Sequence, residues 1–147
     1  MKKKKYYILA FIIPIIIFLF ISIILSIYPF GDILINKFDS VNQYPSILIE
    51  YINKIRNHES LFYSFHGGLG TNFWGIIAYY CASPLNLLFL LFKTEQVYLF
   101  YYLIIVLKIG LSGLTMYILL NSKNKDKLNS NLLFAIIYAL SSFMLVN

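Results

Sequence analysis

The stretch that decides the fold is residues 8–28, ILAFIIPIIIFLFISIILSIY, which contains no charged side chain. At a rise of about 1.5 Å per residue, about 21 helical residues cross a hydrocarbon core of about 30 Å. We therefore interpret this stretch as a first transmembrane helix. A secretory signal peptide is the competing interpretation, but its apolar core runs only about 7 to 15 residues, and no small-residue cleavage site follows here.

Four lysines, Lys2 to Lys5, stand directly before this helix. Because cytoplasmic flanks are enriched in Lys and Arg, residues 1–7 are predicted to form a cytoplasmic tail, and the chain emerges on the outer face near Pro29. The N-terminal run holds four of the 12 Lys and Arg residues, so the net charge of +6 indicates membrane topology. No nucleic-acid partner is expected.

The composition excludes an ordinary soluble monomer. Of the 147 residues, 60% are hydrophobic and 12% are charged, against roughly half and roughly a quarter in soluble domains. Membrane lipid is thus the expected solvent and partner. Cys81 is the one cysteine, which excludes an intramolecular disulfide and a cysteine-based zinc site.

Residues 29–74 form the most polar long segment and are predicted to lie outside. Apolar and polar positions within 42–57 separate onto opposite faces at helical spacing, which predicts an amphipathic helix in the interface. Pro45 is compatible with this helix only in its first turn, with Asn42 or Asp39 available as the cap. The glycine-rich and aromatic residues 63–75, YSFHGGLGTNFWG, are predicted to be a loop at headgroup depth.

The later apolar stretches allow two topologies. Residues 75–93 contain Ser83, Pro84 and Asn86 at their centre, and residues 97–120 carry one charge. If both stretches span, the lysine-rich loop 121–131 lies outside, against the positive-inside rule. We prefer a re-entrant or juxtamembrane helix at 75–93, a second span at 97–120, and a cytoplasmic loop at 121–131.

Residues 132–147 begin a third apolar helix, which is short for a complete crossing. The sequence is therefore expected to be one membrane module, the first part of a longer polytopic all-α protein. The expected location is a membrane, which the chain crosses several times with a cytoplasmic N-terminus.

Five stretches of the sequence follow one another in a characteristic order. They are YPFGD at 28–32, Asp39 with Gln43-Tyr44, YSFHGGLGTNFWG at 63–75, AYYCASPLNLLFLLF at 78–92 and LKIGLSGLTMYILL at 107–120. In this order the chain closely resembles the N-terminal portion of the YfhO family of bacterial integral membrane proteins. The resemblance covers nearly the whole chain. It implies the bacterial plasma membrane as the location.

The resemblance implies a fold and an activity. The YfhO family is similar to the GT-C class of membrane glycosyltransferases, which carry two extracytoplasmic juxtamembrane helices between their first two spans. Residues 42–57 and 78–92 would be those helices. The implied reaction takes a sugar from a polyprenyl-phosphate donor to an envelope glycopolymer, such as teichoic or lipoteichoic acid, on the outer face. By itself this stretch is expected to be inactive, because later helices would complete the donor site.

The resemblance also implies a catalytic residue. GT-C enzymes usually place an acidic residue in the first outer loop, and Asp39 stands there. It would act as the base that activates the acceptor hydroxyl, or as a metal-assisted ligand of the acceptor. A divalent cation is compatible with this chemistry, although the sequence identifies no metal-ligand set. The structural alternative is that Asp39 only caps the amphipathic helix.

Four further residues of the outer segment are candidates for substrate binding. Asp32 would be a second carboxylate or an ordinary solvated residue. Gln43 and Tyr44 would hydrogen-bond sugar hydroxyls, or Tyr44 would anchor its helix at the interface. His66, among glycines, would shuttle protons or remain simply solvated.

Lys108 is the last candidate, because an ammonium in the middle of a span costs a few kcal/mol on insertion scales and usually faces a partner or a wet cavity. Its anion would be an acidic side chain or the donor phosphate. Two other functions remain open beside glycosyl transfer. One is a membrane scaffold or accessory protein without catalysis, and the other is a transporter or flippase segment with Lys108 as the phosphate contact.

Overall fold

The computed structural model describes residues 2–34, 43–67, 69–124 and 127–141. These residues are mainly helical, which confirms the all-α class. The helices are α1 (Lys2–Ile24), α2 (Tyr44–Arg56), α3 (Phe73–Ile76, continued by a π-helical turn Ile77–Cys81), α4 (Val97–Lys123) and α5 (Leu128–Ala139). Two 3₁₀ helices occupy Pro84–Leu91 and Thr94–Gln96, and two short strands, β1 (Tyr63–Ser64) and β2 (Thr71–Asn72), pair antiparallel.

Two helices of the described ranges are long and apolar enough to cross a membrane. They cover Lys4–Ile24, with a mean hydropathy of 3.0, and Thr94–Lys123, with a mean hydropathy of 2.2. Between them, Phe73–Cys81 and Pro84–Leu91 form a helix pair bent by 96°. A broken span and a re-entrant segment share this geometry, so the topology of residues 75–93 stays a prediction.

Several element boundaries differ from the sequence-based expectations. The second span continues to Lys123, into the predicted loop 121–131, and the amphipathic helix covers 44–56 within the expected 42–57. Helix α1 begins at Lys2 and ends at Ile24, because lysine is a good helix former and the charged tail continues the helix. Helix α5 already begins at Leu128. The stretch predicted as a loop at 63–75 contains the β1–β2 hairpin and the start of α3.

The described residues divide into two compact units, residues 1–33 with 102–147 and residues 34–101. In the first unit, Tyr117 is fully buried together with Ala10 and Ala135, so α1, α4 and α5 share one core. A Cβ added to Gly113 would collide with the carbonyl oxygen of Ala10. The close approach of α1 and α4 therefore depends on a residue without a side chain, as is usual for packed membrane helices.

In the second unit, the apolar side of α2 packs onto the bent helix pair. Leu48, Ile52 and Phe89 are fully buried there, and Phe73 is 1% exposed. Pro45 lies in the first turn of α2, as predicted, and Gln43 is the residue before the helix. Burying these faces leaves the opposite, polar side of α2 free to form a site.

Two side chains stabilise the bend between the helices of this pair. Pro84 has no amide N–H to donate to the carbonyl of Tyr80, four residues earlier. The Asn86 side chain donates to that carbonyl at 3.5 Å instead. At the other end, the Arg56 guanidinium donates to the carbonyls of Phe89, Leu90 and Phe92. The Phe89 carbonyl also accepts from the Phe92 N–H, so Arg56 adds a charged donor at a helix end where carbonyls have few backbone partners.

Candidate functional site

The second unit contains a cavity of about 580 Å³ between the polar side of α2 and the β1–β2 hairpin. We call it the hairpin cavity. Helix α2 contributes four polar residues to its wall, and the hairpin region contributes a comparable set. The polar residues that line the cavity include Glu50, Asn53, Lys54, Glu59, His66 and Thr71.

The helical spacing explains why one side of α2 lines the cavity. Ser46, Glu50, Asn53 and Asn57 all lie on its wall, and they follow one another at intervals of four, three and four residues. Residues at these intervals share one helix face. The amphipathic pattern that buries Leu48 and Ile52 therefore also collects the polar groups.

Glu50 is the centre of the polar contacts. Its Oε1 lies 3.3 Å from Nδ1 of His66 and 4.0 Å from Nζ of Lys54. The Glu50 side chain is 16% exposed, whereas that of His66 is 83% exposed. The mostly buried carboxylate of Glu50 thus contacts one ring nitrogen of His66, and the rest of the His66 imidazole is exposed.

Lys54 is held by several groups at once. Its Nζ lies 3.8 Å from Oε2 of Glu59 and donates to the Ser60 carbonyl at 3.3 Å. It also lies 5.6 Å from the centre of the Phe73 ring, within the range of a cation–π interaction. The one lysine on the cavity wall is therefore already neutralised by two carboxylates.

Thr71 brings an unusual hydroxyl to the same wall. Its Oγ1 is buried and has no hydrogen-bond partner among the residues that the structure describes. The turn of the hairpin sets its position: Gly70 has a φ of 109°, in the region that favours glycine. A buried hydroxyl without a partner is rare enough in proteins to require an explanation.

Gln43 and Tyr44, two of the predicted binding residues, form a second polar group in this unit. The Tyr80 hydroxyl donates to Oε1 of Gln43 at 3.1 Å, and the Tyr44 hydroxyl donates to Oδ1 of Asn86 at 2.9 Å. Burial, and then the neighbouring Cys81, raise the pKa of Tyr44 to about 12. Tyr44 therefore remains a neutral hydrogen-bond donor that links α2 to the bent pair.

Asp39, Asp32 and Lys108 complete the set of predicted site residues. Asp39 lies outside the described residues. Asp32 is exposed in the first unit. Lys108 is half-buried in α4, and no ion pair or hydrogen bond involves its side chain within the described ranges.

The arrangement in the hairpin cavity suits the recognition of hydroxyl groups. A carboxylate accepts hydrogen bonds, an amide donates and accepts them, and a hydroxyl does both. Among the described residues, no group of three or more His, Cys, Asp or Glu side chains could hold a metal ion. The groups that are present favour hydrogen bonding and proton transfer.

Sequence analysis selected His66 and missed Glu50 and Thr71. The stripe of Ser46, Glu50, Asn53 and Asn57 was visible as the polar face of a helix, but such faces are usually only solvated. The signal that could have singled out Glu50 is its place at the centre of that stripe. Thr71 gave no signal, because its unpaired hydroxyl is a product of tertiary packing.

These features define an all-α integral membrane protein. The residues of the hairpin cavity lie, along the sequence, between the two candidate spans. The family model described as "Bacterial membrane protein YfhO" matches residues 10–147. The chain belongs to the YfhO family, as the order of its motifs predicted. No curated protein sequence and no solved structure matches it.

Proposed function

We propose that this chain forms the first membrane segments of a glycosyltransferase that acts on the extracytoplasmic face of a bacterial plasma membrane. The donor is a sugar on polyprenyl phosphate, and the acceptor is an envelope glycopolymer such as teichoic or lipoteichoic acid. The observation that supports this most directly is the hairpin cavity, where Glu50 and His66 pair at 3.3 Å on the segment between the candidate spans. Membership of the YfhO family and its similarity to GT-C enzymes supply the reaction class.

The proposed reaction is a simple displacement. The acceptor hydroxyl oxygen forms a bond to the anomeric carbon of the sugar, and the bond from that carbon to the donor phosphate oxygen breaks. Polyprenyl phosphate leaves with the electron pair of the broken bond. Asp39 is proposed to take the hydroxyl proton, a role that a carboxylate at the membrane surface can fill.

The decisive experiment measures sugar transfer by the full-length protein in liposomes. The donor is a radiolabelled hexose on polyprenyl phosphate, and lipoteichoic acid is the acceptor. We expect Asp39→Asn to lower the rate by about 100-fold or more, since general-base catalysis typically contributes about 10² to 10⁴. The matched control is Glu95→Gln, because Glu95 is an exposed residue remote from the candidate site in sequence.

Two results would contradict the proposal. Transfer by Asp39→Asn at the unaltered rate, with normal expression, would remove Asp39 from the mechanism. Absence of transfer by the folded, unaltered protein with every donor sugar tested would favour a scaffold or a transporter instead.

A further inference from the structure

The size of the hairpin cavity restricts what it can hold. Its volume of about 580 Å³ falls within the range of about 300 to 1,000 Å³ that small-molecule sites occupy. Its wall combines polar side chains from α2 and the hairpin region with the apolar side chains Ile47, Ile49, Phe73 and Ile76. A small ligand that has both hydroxyl groups and an apolar ring face fits this wall.

The charges on the wall argue against an anion. Glu50 and Glu59 face the single ammonium of Lys54, at 4.0 and 3.8 Å. The two carboxylates outnumber the one ammonium of this group. A phosphate would meet a like charge and a lysine that is already paired, whereas a neutral ligand avoids this repulsion.

The unused hydrogen-bonding groups indicate the chemistry of the ligand. Thr71 Oγ1 is buried without a partner, and the side chain of half-buried Asn53 makes no hydrogen bond to any described residue. Both ion-pair contacts of Glu50 are made by Oε1, so Oε2 remains for another donor. A hydroxyl, an amide and a carboxylate oxygen around one cavity match a ligand with several adjacent hydroxyl groups.

We propose that the hairpin cavity binds one neutral sugar residue, with Thr71, Asn53 and Glu50 as its hydrogen-bonding partners. This inference rests on the proposed function for the choice of a carbohydrate. It assigns the cavity to the sugar ring and not to the phosphate of the lipid donor. Without the sugar, Thr71 Oγ1 lacks a hydrogen-bond partner among the described residues. The preference of the cavity for a ligand with hydroxyl groups therefore depends strongly on Thr71.

The test is a binding measurement on the full-length protein in nanodiscs. Saturation-transfer difference NMR is recorded with the methyl glycosides of glucose, galactose, mannose and N-acetylglucosamine, and with glycerol 3-phosphate as the anionic probe. We expect at least one glycoside to bind and glycerol 3-phosphate to bind more weakly. Thr71→Val and Glu50→Gln are each expected to weaken glycoside binding about tenfold.

The variants are chosen to separate binding from folding. Thr71→Val keeps the branched shape of a β-strand residue and removes a buried hydroxyl that has no partner among the described residues, so the fold is expected to be retained. Thr115→Val is the matched control. Its hydroxyl donates to a helix carbonyl in α4, outside the cavity, and glycoside binding should be unchanged.

Three outcomes would overturn the inference: no glycoside binds, Thr71→Val and Glu50→Gln both bind as the unaltered protein does, or glycerol 3-phosphate binds more tightly than any glycoside. The experiment does not depend on sugar transfer. A protein that transfers sugar but binds glycosides independently of Thr71 refutes the inference alone. A protein that binds them through Thr71 and transfers nothing refutes the proposed function alone.

Discussion

Lys108 is a half-buried ammonium within the second candidate span, and no described residue pairs with it. An unpaired charge at this depth is costly, so it normally marks a ligand or a wet cavity. Phosphate is the anion that the proposed donor offers, and a charge-assisted hydrogen bond to it would be strong. We therefore propose Lys108 as a contact for the donor phosphate.

We expect Lys108→Met to raise the apparent KM for the polyprenyl-phosphate donor about tenfold, and Lys108→Arg to restore most of the loss because the positive charge remains. The measurement is donor-dependent transfer by the full-length protein in liposomes. An unchanged KM for Lys108→Met, together with better membrane insertion, would make the lysine a passive residue.

Residue type alone identified some of the candidate site residues and missed others. Lys108 stands out in any apolar segment, and His66 stood out as a histidine among glycines. Glu50 became a candidate only when the hairpin brought His66 within 3.3 Å of it. That contact joins residues 16 positions apart, and no local pattern encodes it.

Helix α2 is the central element of the second unit. Its apolar side is buried, its polar side lines the hairpin cavity, and its last turn carries Lys54 and Arg56. The apolar side was predictable because burial and helical periodicity are both local signals. The hairpin was not, since its pairing of Tyr63 with Asn72 spans a glycine-rich stretch that has no strand pattern.

A substitution of Arg56 tests how α2 is joined to the bent helix pair. We expect Arg56→Gln to lower the free energy of unfolding by about 1 to 3 kcal/mol, because carbonyls at the end of Pro84–Leu91 would lose their charged donor. The measurement is thermal unfolding in detergent, followed by the fluorescence of Trp74. Lys123→Gln is the control, since Lys123 is exposed; equal unfolding of the two variants would show that Arg56 contributes nothing specific.

At the scale of the whole molecule, the open question is whether residues 73–91 cross the membrane or return. The start of this segment, Phe73, lies under Lys54, and its end, at the Phe92 carbonyl, accepts from Arg56. Both ends therefore meet the last turn of the same helix. A segment that begins and ends at one level favours re-entry over a broken span, and with re-entry the loop 121–131 is predicted to lie on the cytoplasmic side.

Cysteine labelling of intact cells tests this topology. In a Cys81→Ala background, we expect Lys127→Cys to react with a membrane-impermeant maleimide only after the cells are permeabilised. Ser60→Cys, in the outer segment, should react without permeabilisation. Reaction of Lys127→Cys in intact cells would show that residues 73–91 span the bilayer.

The hydrogen bonds of Arg56 also bear on the pH and the salt concentration at which α2 stays attached to the bent helix pair. A guanidinium stays protonated throughout the pH range in which cells live. Its partners are neutral carbonyls, so no carboxylate has to stay ionised and no pair of free ions is exposed to screening by salt. The attachment of α2 to the bent pair by Arg56 is therefore expected to withstand acidification and changes in ionic strength.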